Sequence, residues 1–130
     1  MEDSTFNIHV SLFLTRILGG KMYLLLNREE IKELPKINLT VGEKLGETVQ
    51  KILDNLGKLK IENSGFLKLV NNYSTEPHAL EIGMVARLKG GEPNSDDWIW
   101  YRWDRLPENL SKNAKSSIMA YLNKDSFYEF

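Results

Sequence analysis

The sequence predicts a mixed α/β (α+β) domain, a mixed β-sheet with helices packed on its faces. Three observations carry that reading. Strand-like and helix-like stretches alternate irregularly along the chain, without the regular strand–helix period of an all-parallel fold. Hydrophobic residues make up 42% of the 130 positions, enough to build one real core at this length. No internal repeat, low-complexity stretch or linker divides the chain, so residues 1–130 read as a single domain.

The first element is a strand over 6–18. Phe6, Ile8, Val10, Leu12 and Leu14 share one parity and predict one strongly buried face, with Asn7, His9, Ser11 and Thr15 on the other. Gly19-Gly20 predicts a tight turn into a second apolar strand over 21–26. Residues 28–36 are charged and end in Leu34-Pro35, which reads as a loop, and residues 37–41 are short and β-prone. After Gly42-Glu43, Leu45, Val49, Ile52, Leu53 and Leu56 recur at spacings of three and four and form the apolar stripe of a helix. Glu47, Gln50, Lys51, Asp54 and Asn55 lie off that stripe, and Gly57 is the expected C′ residue.

Strands over 65–73 and 80–89 follow, joined by a polar loop containing Pro77. A turn-rich stretch leads to a dense aromatic strand over 98–103. The final helix is expected from about Asn109 to Asn123, with Leu110, Ala114, Ile118, Tyr121 and Leu122 on its buried face and Lys112, Lys115 and Lys124 in solvent. The tail Phe127-Tyr128-Glu129-Phe130 is apolar enough to dock, either on its own domain or on a second subunit in a homodimer.

Composition excludes several classes. Seventeen basic against eighteen acidic side chains leave a net charge of −1, which argues against nucleic-acid phosphates or an anionic membrane as the main partner. The absence of cysteine excludes a disulfide scaffold, a thiolate zinc site and a cysteine nucleophile. His9 and His78 are the only histidines and read as structural rather than catalytic. An acidic start and the lack of any apolar run near the ~20 residues of a membrane span predict a cytoplasmic protein without a membrane partner. Gly19-Gly20-Lys21 fails the spacing of a phosphate-binding loop, and no nucleophile elbow, His-Glu-x-x-His or Gly-x-Gly-x-x-Gly motif occurs.

The segment Leu34-Pro-Lys-Ile-Asn-Leu-Thr-Val-Gly-Glu43, with the helix that ends at Gly57, resembles the signature of the Nudix hydrolases. Leu34, Pro35, Leu39, Gly42 and Glu43 stand at matching offsets. Ile52 and Gly57 match the helix if it is shortened by one residue. The opening hairpin, the stretch Ala86-Arg-Leu-Lys-Gly-Gly-Glu-Pro93 and the run Trp98-Ile-Trp-Tyr-Arg-Trp-Asp-Arg-Leu-Pro107 are also similar to that family, so the resemblance spans nearly the whole chain. It implies a Nudix-like α/β/α sandwich, a nucleotide ligand, and Mg²⁺ or Mn²⁺ wherever hydrolysis survives.

The departures fall on the chemistry. In the family pattern the helix carries Arg-Glu-x-x-Glu-Glu, whose carboxylates hold the cation. Divalent cations of this kind need several hard oxygen donors close together. With the shortened helix, Gln50 stands for the arginine, Lys51 for the first glutamate, and Asp54 and Asn55 for the other two. Lys36 and Ile37 replace the paired glycines of the loop, and a β-branched residue does not take up glycine's positive φ. The expectation is a nucleotide-binding or interaction module with weak or no hydrolase activity. The alternative is a divergent phosphoanhydride hydrolase for a nucleoside-diphosphate-linked substrate, with Glu43, Glu47, Asp54 and the late acid Asp97 catalytic and Asp54 and Glu47 on the metal. Trp98, Trp100 and Arg102 share one parity of the aromatic strand and are the candidate ligand-binding residues, since an exposed aromatic face stacks on a base.

Overall fold

The computed structural model describes residues 7–75 and 78–130. The expectations for Phe6, for the acidic start before it and for Pro77 concern residues outside that range. At the centre is β1 (Asn7–Leu18), which turns through Gly19 and Gly20, at φ +59° and +77°, into the antiparallel β2 (Lys21–Asn27). β1 also pairs antiparallel with β3 (Lys36–Asn38) and parallel with β6 (Ala79–Gly90). β6 carries β5 (Gly65–Asn72) and the two-residue β4 (Lys60–Ile61) antiparallel. β2 carries β7 (Trp98–Arg102), and β5 carries β8 (Phe127–Glu129) in parallel, so the main strand order is β7-β2-β1-β6-β5-β8. The sheet is mixed, as predicted.

The helices α1 (Leu45–Leu56) and α2 (Lys112–Asn123) cover opposite faces. Under α1, Val10, Leu12, Leu14 and Leu25 meet Val49, Ile52, Leu53 and Leu56. Under α2, Phe13, Leu24 and Leu26 meet Ala114, Ile118 and Tyr121. This double cover corrects the one-sided reading of the first strand. Ser11, Phe13 and Thr15 are as buried as Val10, Leu12 and Leu14, because a central strand between two helical layers has no solvent face.

Gly57 ends α1 at φ +139°, and its backbone passes so close to the following loop that a Cβ would sit 2.9 Å from the Asn94 nitrogen. No side chain fits there, which explains the glycine on packing as well as conformation. α2 begins later than expected. Ser111 is its N-cap and accepts a hydrogen bond from the Ala114 N–H at 2.9 Å, while the Ser111 N–H is held by the Lys32 carbonyl. Leu122 is exposed rather than buried, since the covered side of α2 runs through Asn113, Ala114, Ser117 and Ala120. Residues 127–129 dock on the chain's own sheet. No helix among the described residues is long and apolar enough to cross a membrane.

Candidate functional site

The segment from Pro35 to Glu43 runs along β1 as β3 and then feeds α1, and its first residues lie against the C-terminal half of that helix. Between them and β7 lies a hollow of about 70 Å³ lined by Pro35, Lys36, Ile52, Asn55, Leu56 and Trp98. That lining holds one ammonium and no carboxylate.

Glu43, Glu47 and Asp54 are engaged by neighbours in their own chain, and Asp97 is held through its backbone. Glu43 lies just before α1 and meets the Lys51 ammonium at 2.5 Å. It also accepts the Thr48 hydroxyl at 2.7 Å. The Lys51 bond first, and the Thr48 bond second, hold the Glu43 carboxyl below the usual carboxylate range against the opposing effect of desolvation. Glu47 accepts the Lys44 N–H at 2.9 Å and so caps the start of α1. Asp54 accepts Gln50 Nε2 at 3.0 Å, one turn away. Asp97 sits at the entrance of β7, with its carbonyl accepting the Arg28 N–H at 2.8 Å and its N–H bonded to the Ser95 hydroxyl. No group of three or more acids or histidines able to hold a metal forms among the described residues. This donor set does not fit a divalent cation, which takes several free oxygen ligands in one place.

The aromatic strand divides its side chains between the two faces. Trp98 and Trp100 pack against the core under α1, and Tyr101 and Trp103 against the core under α2. Trp98 reaches the hollow. Trp100 lies beneath Arg16, whose guanidinium is 4.5 Å from its ring and 2.7 Å from Glu92. Arg102 turns to Asp104, with bonds of 2.9 and 3.1 Å that keep the Asp104 carboxyl below its ordinary range.

Sequence reasoning missed a polar interior on the other face. Lys68 is fully buried, and its ammonium donates to the Asn113 carbonyl at 3.1 Å, to Asn113 Oδ1 at 2.5 Å and to the Ser116 hydroxyl at 2.7 Å. Burial pushes it down to about 8, although the charges of Glu81 and Glu33 work the other way. Gly83 makes the space, since a Cβ there would stand 2.8 Å from Lys68 Cγ. Beside this lies a polar cleft of about 250 Å³, bounded by His9, Lys36, Asn72 and Glu81 among others. Lys36 borders both the cleft and the hollow under α1. The available signal was a lysine two residues before Val70, on the same strand parity.

No protein-family model matches the sequence, and no curated protein matches it. The fold does have solved counterparts. The Nudix domain of Shewanella oneidensis NrtR, in complex with ADP ribose, superposes with a TM-score of 0.72 at 14% identity, over 93% of this chain and 90% of that one. A MutT Nudix hydrolase from Burkholderia pseudomallei gives 0.71 at 16%, over 89% and 98%. The C-terminal domain of mouse MUTYH, in complex with human PCNA, gives 0.71 at 13%, over 91% and 88%. The chain has the Nudix fold.

Proposed function

We propose that this chain is a cytoplasmic nucleotide-binding module on the Nudix fold, with weak or no phosphoanhydride hydrolysis and no need for a divalent metal. The observation that carries this reading is the Lys51–Glu43 pair. A side-chain ammonium stands against the acid that opens the helix, so the positive charge of the region belongs to the protein. Lys36, shared by the hollow and the cleft, is the cation a diphosphate would meet. Trp98 supplies an aromatic wall beside it. The NrtR domain with its ADP ribose supports a nucleoside-diphosphate-linked ligand. The MUTYH domain with PCNA supports a role in interaction for this fold.

The test is thermal unfolding with ADP-ribose or ADP, in chelator and then with Mg²⁺ or Mn²⁺. A ligand bound only by the folded state at 100 times its Kd stabilises by about 2.7 kcal/mol. The expected result is a higher Tm in chelator that Lys36→Glu removes. Stabilisation only with metal, lost in Asp54→Ala, would instead support the hydrolase reading with Glu43, Glu47, Asp54 and Asp97 around Mg²⁺ or Mn²⁺.

A further inference from the structure

A second surface lies where α2 meets β8, across the sheet from the hollow, and is independent of the nucleotide reading. It is a groove of about 290 Å³ lined by Lys112, Lys115, Ser116, Met119, Tyr128 and Phe130. Met119 is 47% exposed, and Leu122, one turn further along α2, is 55% exposed. Apolar side chains left in water beside a concave, charged rim are the mark of an interaction site rather than of a finished core.

The charges are placed against the helix's own preference. Lys112 and Lys115 stand in the first turns of α2, at the positive end of its dipole, and no acid accompanies them there. The buried ammonium of Lys68 is bonded to Asn113 and Ser116 of the same turns. The Lys112 ammonium rests 5.8 Å from the Phe130 ring rather than on a carboxylate. Glu33 answers the Lys68 side of these turns, accepting from Asn113 Nδ2 at 2.9 Å, whereas Lys112 and Lys115 at the groove make no ion pair with a described residue. An acidic occupant relieves that arrangement. A second copy of this chain would bring the same lysines to the rim.

The edge strand supplies the rest. β8 ends the sheet, with Ser126 and Phe130 bonded back to β5. By the alternation of a parallel ladder, the N–H and C=O groups of Phe127 and Glu129 then point away from β5, toward a further strand. We infer that this groove docks an extended peptide segment of a partner protein, with an aromatic or leucine anchor over Met119 and Phe130 and flanking acidic side chains on Lys112 and Lys115.

The test is selection of a random twelve-residue peptide display library on the full chain, followed by fluorescence anisotropy of the enriched peptides. The expected peptides place Asp or Glu beside Leu, Phe or Trp. They should bind at least tenfold more weakly to Lys112→Glu/Lys115→Glu, and they should protect the Phe127 and Glu129 amides from hydrogen exchange. That variant removes the conflict with the helix dipole, so its Tm is expected to hold or rise, which separates lost binding from lost folding. No enriched peptide, enriched peptides that bind the variant equally well, or a dimer that buries this groove would each overturn the proposal.

Discussion

The two faces of the sheet are packed by opposite rules. Under α1 the interior is mostly apolar, with Thr48 its buried polar residue on the helix, and Glu43, Glu47 and Asp54 are each bonded to a neighbour on the same helix or its approach. Under α2 an aromatic cluster of Phe13, Trp103 and Tyr121 adjoins a buried lysine, an asparagine and two serines. The face that resembles the Nudix signature in sequence holds a self-neutralised surface. The opposite face holds a buried charge. The Lys68 ammonium has three acceptors, and the cost it carries is the desolvation of its charge.

The apolar face offers the largest effect. Ile52→Ala removes a side chain that is 3% exposed and bridges α1 to the sheet, and a loss of about 2–5 kcal/mol in urea unfolding is expected. A loss under 1 kcal/mol would mean that α1 is not held by this core.

The polar face responds to pH. Lys68 titrates near 8 when folded and near 10.5 when unfolded. Below pH 8 both states are charged and the folded state carries the full penalty of the buried ammonium. As pH rises from 8 to about 10.5 the folded state sheds its proton first, and stability rises. The gain is up to about 3 kcal/mol, since each pH unit between the two values contributes about 1.4 kcal/mol. Urea unfolding of the wild type against Lys68→Met across that window isolates the contribution of this one side chain. Parallel profiles would remove Lys68 from the account.

A smaller effect sharpens the contrast at the α1 surface. Lys51→Glu puts a third acid with Glu43 and Asp54, and calorimetric Mn²⁺ affinity is expected to rise at least tenfold over the wild type. In Lys51→Ala the Glu43 titration followed by NMR is expected to move up toward the ordinary carboxylate range. The stability that the pair contributes is present above that range and is lost as pH falls through the lowered Glu43 value.

Much of this was legible in the sequence, for physical reasons that differ by element. The hairpin at Gly19-Gly20 and the stripe of α1 rest on local periodicity and turn chemistry, and both hold. The residue types along α1 could be read one by one. What periodicity does not carry is the environment on the far side of a strand. Ser11 and Thr15 looked like solvent-facing residues until α2 covered them. Lys51 reaches Glu43, eight residues back and outside the helix, while Glu47 is bonded to the Lys44 N–H, and neither contact follows from helical periodicity alone. Lys68 needed the cross-strand register to Gly83, which only the folded sheet supplies.

The central claim is that the positive charge beside α1 is the protein's own. It is tested most directly by phosphate and nucleotide release from a mixed panel of nucleoside triphosphates, dinucleoside polyphosphates, sugar nucleotides and capped RNA, with Mg²⁺ and then Mn²⁺. The expected result is no turnover above a Glu43→Ala/Asp54→Ala control. Turnover by the wild type that vanishes in that control would contradict the account and place a working metal centre on α1.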